Sequence, residues 1–239
     1  MAAPLRRVRE RTVRWLAPGC FTDDRDVRDN AAVRLLLAFA LRTDSSCIDV
    51  GAHKGIWLEE FRRLAPHGRH LAYEPLPHMH RALAERFPEM EVRDAAVSNT
   101  EGETTFVYVR NLSAYSGLRR RDYPREVKTE HITVRTERLD DHLPHDFVPA
   151  CIIIDVEGAE RLVVEGALET IRRHRPIVVF EHGLGAAEHY ETGPGDMYRL
   201  LCQEAGLVLF DLDGNGPFGL EDFERRFASG MHWNWVARP

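Results

Sequence analysis

Two runs constrain this chain more than any other part of it: "CIIID" at residues 151–155 and "PIVVFE" at 176–181. Each is apolar at nearly every position and closes on a carboxylate. A strand with one wet face alternates polar and apolar residues. A continuously apolar strand is covered on both faces, as in the middle of a parallel sheet with helices above and below.

The rest of the chain carries the rhythm such a sheet needs. "SSCIDVG" reads as a strand, "GIWLEEFRRLAP" as a helix, "RHLAYEP" as a strand, "PHMHRALAERFP" as a helix and "EVRDAAVS" as a third short strand. After residue 155 come a helix in "AERLVVEGALETIRRHR", the strand "PIVVFEH", a helix in "PGDMYRLLCQEAG", and strands in "LVLFDLDG" and "MHWNWVARP". Strands and helices alternating at this spacing imply right-handed βαβ units. Upstream, "TDDRDVRDNAAVRLLLAFALRTD" reads as a helix with acids in its first turn. The middle breaks the rhythm: "ETTFVYVR" and "HITVRT" alternate with period two, and the polar, basic "NLSAYSGLRRRDYPREVKTE" between them is long enough to be a lid or binding loop. The expected organisation is one domain over 1–239: an N-terminal helical segment at 1–43 and an α/β core at 44–239, with an insertion at about 102–136.

Composition narrows the class. A formal net charge of −6 argues against a general nucleic-acid binder, and no segment offers the roughly 18 apolar residues of a membrane span. Cys20, Cys47, Cys151 and Cys202 show no metal-ligand spacing, which suits a reducing, cytoplasmic setting. The arginine-rich start, with Leu5, Val8, Trp15 and Leu16 on one side, reads as an accessory amphipathic helix; Glu10 and Pro4 count against a transit peptide.

In doubly wound sheets, ligands sit at the carboxyl ends of the strands. "DVGAHKG" (residues 49–55) occupies that place after the first strand. It lacks the G-x-G-x-x-G spacing of a dinucleotide turn, because Ala52 and His53 interrupt it, and Lys54 precedes Gly55 where a Walker loop has its lysine after the glycine. Asp49 would repel a pyrophosphate but attract an ammonium or sulfonium. Glu74, which ends the second strand about twenty residues on, is placed to accept hydrogen bonds from ribose hydroxyls. An acid, a small-residue turn and a ribose-binding acid suit S-adenosylmethionine. Asp49 and Glu74 could alternatively do no more than cap loops.

"IDVGAHKG", "YEP", "DAAVS", "RLDDH", "IIIDVEGAERLVVEGA" and "RPIVVFEH" together resemble the FkbM family of S-adenosylmethionine-dependent methyltransferases, over roughly residues 45–185. The resemblance implies a class I methyltransferase fold: a Rossmann-like, doubly wound α/β sheet of seven mostly parallel strands with the last antiparallel, here with an inserted strand pair and N-terminal helices. It also implies O-methylation, usually of a hydroxyl on a natural product such as a polyketide, or on a glycan. His53 stands where the family usually has Asn, and Ile56 where Ser or Thr often follows the second glycine. Carried over by position, the resemblance gives Asp49, Gly51, Ala52, His53 and Gly55 to the methionine side, Glu74 and Pro75 to the ribose, and Asp94, Ala95 and Ala96 to the adenine.

On the acceptor side, Asp155, Glu157, Glu181 and His182 cluster at the ends of the fourth and fifth strands, with Glu160 opening the next helix. An alcohol acceptor must lose a proton, so two mechanisms fit. His182, Asp155 or Glu157 takes the proton directly, or the same groups hold a divalent cation such as Mg²⁺. The first is preferred, because no spacing is diagnostic of a metal. Glu160 can equally be a first-turn carboxylate favoured by the helix dipole. Ser113, Tyr115 and Ser116 in the central loop are candidate acceptor contacts. "RRRDYPR" could draw in an anionic group or be a solvated surface. "DLDGNGPFGLED" (211–222) nearly spells an EF-hand loop through Asp211, Asp213, Asn215 and Gly216, but Asp222 replaces the twelfth-position Glu and a strand precedes it; a turn between the last two strands accounts for the same residues. Rival readings are an NAD-dependent oxidoreductase, an RNA or protein methyltransferase, and a non-catalytic binding module.

Overall fold

The computed structural model describes residues 24–239; the arginine-rich start and Cys20 lie outside the described residues. Helix α1 (Arg25–Ala40) begins where the Asp24 carboxylate accepts from the Val27 N–H at 3.2 Å, a side-chain cap on the free donors of the first turn. It buries Asp29, Val33 and Leu37, four residues apart and therefore on one face.

Seven strands follow in one sheet: β1 (Ser46–Val50), β2 (His70–Tyr73), β3 (Glu91–Arg93), β7 (Pro149–Ile154), β8 (Ile177–Glu181), β9 (Val208–Asp211) and β10 (Asn234–Arg238). Their spatial order is β3-β2-β1-β7-β8-β10-β9, and β10 runs antiparallel to both its neighbours. The α/β sheet expected from the sequence is therefore present, with its antiparallel last strand. Successive residues of each central strand feed opposite faces. Ile48, Ile152, Ile154, Val178 and Phe180 pack with Val163, Ile171, Met197 and Phe223 from the helices on one side. Cys47, Cys151, Ile153 and Val179 pack with Leu37, Leu58, Phe61 and Phe87 on the other. Truncating one of these fully buried side chains, Phe180→Ala for instance, should cost about 3–5 kcal/mol through lost burial and the cavity left.

A second, three-stranded sheet contains β4 (Ala95–Val97), β5 (Gly102–Val109) and β6 (Thr129–Glu137), in the order β4-β6-β5. The "EVRDAAVS" strand is thus two strands. Residues 91–93 pair with β2, then the chain breaks at Asp94 and Ala95–Val97 pair in parallel with β6. Three other segments differ from the sequence reading. The helix expected over 159–175 is split at Ala167, where Gly166 approaches the chain so closely that a Cβ there would lie 2.0 Å from the Ser98 carbonyl oxygen. The Pro194 helix passes into a π-helical turn at Arg199–Glu204. Between β9 and β10, where a simple turn was expected, the helix Leu220–Ala228 forms. Its signal was present: Glu221 and Asp222 in the first turn, Arg225 and Arg226 in the last, and Phe223 and Phe227 buried.

Candidate functional site

The turn after β1 has almost no room for side chains. Gly51 adopts φ +90°, and a Cβ there would fall 1.9 Å from the Asp155 carbonyl oxygen, so glycine is required on both counts. Gly51 and Ala52 both donate to the Tyr73 carbonyl, at 3.0 and 3.1 Å, which ties the turn to the end of β2. His53 follows at φ +44°, a costly conformation for a non-glycine residue. It is held from two sides. Its N–H donates to Glu74 Oε2 at 2.8 Å, and its Nε2 lies 3.0 Å from Ser113 Oγ in the central loop.

Glu74 is 4% exposed, and its other oxygen accepts from the Leu76 N–H at 2.8 Å. Burial raises its pKa to about 7 even though both backbone donors pull it down. Each oxygen keeps a lone pair for a further donor. A narrow slot of about 50 Å³ runs along this edge, lined by Gly51, His53, Glu74, Pro75, Ala95, Ala96, Ser113 and Ser116. Ala52 and Gly55 shape the turn from behind without lining the slot. Asp94 points away from it, into an ion pair with Arg135 at 2.5 Å. Ser113 and Ser116, expected on the acceptor side, lie on the slot side, and Ser116 Oγ already accepts from the Val109 N–H.

A wider cleft of about 440 Å³ opens on the other side of the β7 end. Asp155 and Glu157 border both spaces. Glu181, Tyr115 and Arg121 of the basic run join them, with Trp57 and Trp233 that sequence reasoning did not single out. Nor did it find Asp26 and Asp29, which reach the cleft from α1. Glu157 sits at φ +59°, and its carboxylate is ion-paired with Arg121, whose guanidinium also stacks on Tyr115 at 4.9 Å. Two arginines of the basic run thus close the loop onto the site, since Arg119 likewise donates to the His189 carbonyl and lies over Tyr190.

Electrostatics single out the β7 and β8 ends. The Asp155 and Glu181 carboxyls hydrogen-bond each other. Burial first, and then the Glu160 charge, raises Asp155 to about 6. Burial, Asp155 and Glu160 raise Glu181 well above the usual carboxylate range. Asp155 is nonetheless exposed to solvent, where it borders both the cleft and the slot. Two such carboxyls hold one proton between them near neutral pH. Beneath them, Asp49 is 1% exposed, and neither carboxylate oxygen has a hydrogen-bond partner. Burial, Asp155 and Glu74 all push its pKa up.

The structure does not bring His182 into the cleft. Its ring is buried against Phe227, with Nδ1 3.8 Å from Glu160 Oε2. Glu160 instead holds the turn after β7, its Oε1 accepting from Val156 and Gly158 N–H groups at 3.3 and 2.9 Å. In the EF-hand-like stretch, Asp211, Asp213 and His232 bring ligand atoms within 4.8 Å of one another. Guanidinium groups already answer those acids: Arg226 contacts Asp211 at 3.0 Å, and Arg25 contacts Asp213 at 2.9 Å.

Buried Asp49 and Glu74, with Asp155 at the mouth of the cleft, gather acids around one turn, which suits a cationic ligand and not a pyrophosphate. The sequence profile of the Methyltransferase FkbM domain matches residues 49–208, a span that holds the turn, both strand-end pairs and the inserted sheet. The chain belongs to the FkbM methyltransferase family. Fold and family are thus those of S-adenosylmethionine-dependent methyltransferases. Methyltransferase FkbM from Methylobacillus flagellatus KT is similar in fold, with TM-score 0.52 at 14% identity, covering 98% of this chain and 60% of that one. A TehB-like S-adenosylmethionine-dependent methyltransferase from Corynebacterium glutamicum gives TM-score 0.47 at 15% identity, over 98% of this chain and 97% of that one, too low to add weight. The AMB antimetabolite synthetase AmbE of Pseudomonas aeruginosa is 34% identical over 82 residues, 33% of this chain and 4% of that protein. The chain spans less than two thirds of the FkbM structure and a small part of AmbE. Among the described residues, no helix is long and apolar enough to cross a membrane.

Proposed function

We propose that this FkbM-family chain moves the methyl group of S-adenosylmethionine to a hydroxyl oxygen of a small molecule, such as a natural product or a sugar, as a cytoplasmic enzyme built on one domain over residues 1–239, with its α/β core at 44–239. The observation that carries this reading is the Asp155–Glu181 pair at the junction of slot and cleft. Such a pair presents a base near neutral pH to whatever occupies the cleft.

The residues of the slot fit the donor. Asp49 offers a buried carboxyl without a hydrogen-bond partner, whose ionised form a ligand cation would favour, and Glu74 offers free lone pairs to ribose hydroxyls. Ala95 and Ala96 leave space for a flat base. At about 50 Å³ the slot is well below the roughly 300 Å³ at which small-molecule sites begin, and we infer that the turn at Ser113–Ser116, which lines it, moves outward to admit the donor. Bound there, S-adenosylmethionine supplies an electrophilic methyl group.

The chain then does two things. It holds the acceptor oxygen in line with the methyl, which alone removes much of the barrier. Glu181, which carries the pair's proton, holds the Asp155 carboxylate ionised and oriented through their shared hydrogen bond, and Asp155 then accepts the hydroxyl proton. Glu157 is a weaker candidate because Arg121 already neutralises it, and that same pairing leaves few free ligand oxygens for Mg²⁺. His182, turned from the cleft, is left without a direct role. A methyltransferase acting on RNA or protein is the nearer alternative; the acidic cleft disfavours RNA.

The test is methyl transfer from labelled donor to a panel of alcohols, amines and thiols, with products mapped by mass spectrometry. Methylation at oxygen that Asp155→Asn lowers by at least about a hundredfold supports the assignment. Methylation confined to nitrogen, carbon or RNA overturns it.

A further inference from the structure

The acceptor cleft has a charge pattern of its own. Among the described residues, five carboxylates line it, from Asp26, Asp29, Asp155, Glu157 and Glu181, against Arg121 and His232. Two of the five are already answered. Glu157 is paired with Arg121, and Asp29 with Arg25 at 2.8 Å and the Asn234 amide at 3.0 Å. Burial and the nearby Arg25 lower the pKa of His232, which keeps its ring neutral. The other arginine near the wall, Arg34 over Trp57, is held by Glu60 at 2.9 Å.

What remains is negative. Asp26, exposed on α1, accepts from Trp233 Nε1 at 3.2 Å and is in no ion pair among the described residues. The Asp155–Glu181 pair with its one proton carries a negative charge as well. A neutral polyol would leave these charges to solvent, and a phosphate or carboxylate would be repelled by them. Trp57 and Trp233 line the same cavity, and indole rings favour organic cations.

We propose that the acceptor carries a protonated amine as well as the hydroxyl to be methylated, as an amino alcohol or amino sugar does. The ammonium sits between Asp26 and the Asp155–Glu181 pair, against the indoles of Trp57 and Trp233. This rests on the methyl-transfer reading above, deepening it to a class of acceptor.

The experiment uses the full chain with saturating S-adenosylhomocysteine and three probes of one shape: benzylamine, benzyl alcohol and benzoate. Binding is read by tryptophan fluorescence and ligand-observed NMR. The ammonium should bind about tenfold more tightly than the alcohol, about 1.4 kcal/mol, with benzoate weakest. Asp26→Asn should remove most of that preference and leave benzyl alcohol unchanged; Asp26 is solvent-exposed on α1, so the variant should fold. Equal affinities, preference for benzoate, or no measurable benzylamine binding overturns the proposal, as does a preference that survives Asp26→Asn intact. Homocysteine-product binding is measured in the same samples. Its failure with the ammonium preference intact sinks the methyl-transfer reading alone, whereas its success with the preference absent sinks this inference alone.

Discussion

Glu74→Gln offers the sharpest quantitative test of the slot. Burial lifts the Glu74 carboxyl from 4.5 to about 7, which at about 1.4 kcal/mol per pH unit is worth about 3 kcal/mol. The sign follows from proton linkage. A carboxyl with a raised folded-state pKa binds its proton more tightly in the native chain than in the unfolded one. Its contribution is therefore full below about pH 4.5 and is lost as pH rises through 7. Glutamine does not titrate, so the difference in stability between variant and parent should shift in the variant's favour by about 3 kcal/mol from pH 4.5 to 8. The absolute offset is a separate matter. The amide can accept from only one of the two backbone donors, His53 or Leu76, and losing a hydrogen bond to a charged group costs about 1.5–3 kcal/mol. That cost moves the whole difference curve vertically and leaves its slope alone. Urea unfolding at intervals across this pH range, with and without S-adenosylhomocysteine, measures both. Parallel stability curves for parent and variant would refute the reasoning that Glu74 is a desolvated acid in this slot. Unchanged cofactor affinity in the variant would refute its assignment to the ribose.

Other consequences can be checked in turn. Because Asp155 must be ionised to accept a proton and its pKa is raised to about 6, kcat/KM should rise with pH through about 6 and level off above it; a flat profile from pH 5 to 8 would contradict the base assignment. Asp155→Asn should lower turnover by about 10²–10⁴ while homocysteine-product affinity stays within about threefold. Gly51→Ala forces a Cβ to 1.9 Å from the Asp155 carbonyl at φ +90°, so either the fold or both clefts must give way; a variant with parental melting temperature and activity would show that the turn is looser than described. Breaking the latch with Ser113→Ala should speed donor association at unchanged chemistry, read by stopped-flow fluorescence, since His53 loses the contact that holds the loop over the slot.

Much of this was legible in the sequence, for reasons that can be traced. The runs around Ile152–Ile154 and Val178–Phe180 announced strands buried on both faces, and their closing acids marked the end of the sheet where ligands bind. Gly51 and Glu74 could be placed because a turn spacing and a strand end are local facts. The break at Asp94 could not be read, since what divides "EVRDAAVS" is the arrival of β6 from 40 residues downstream. Asp26 and Asp29 were invisible for the same reason: α1 contributes them across the cleft, and nothing near either in sequence says so. His182 shows the converse error. It follows a strand end, but the side chain after Glu181 faces the opposite side of the sheet and packs on Phe227. The arginine run was legible as charge, whereas the pairing of its Arg121 with Glu157 needed the fold.

The most direct measurement is calorimetric titration of the chain with S-adenosylmethionine, S-adenosylhomocysteine and NAD. The account predicts saturable one-to-one binding of the first two, weakened by Asp49→Asn and Glu74→Gln, and no heat with NAD. Binding of NAD, or silence from both adenosyl ligands on a sample shown to be folded, would contradict the assignment of the slot formed by Gly51, His53 and Glu74.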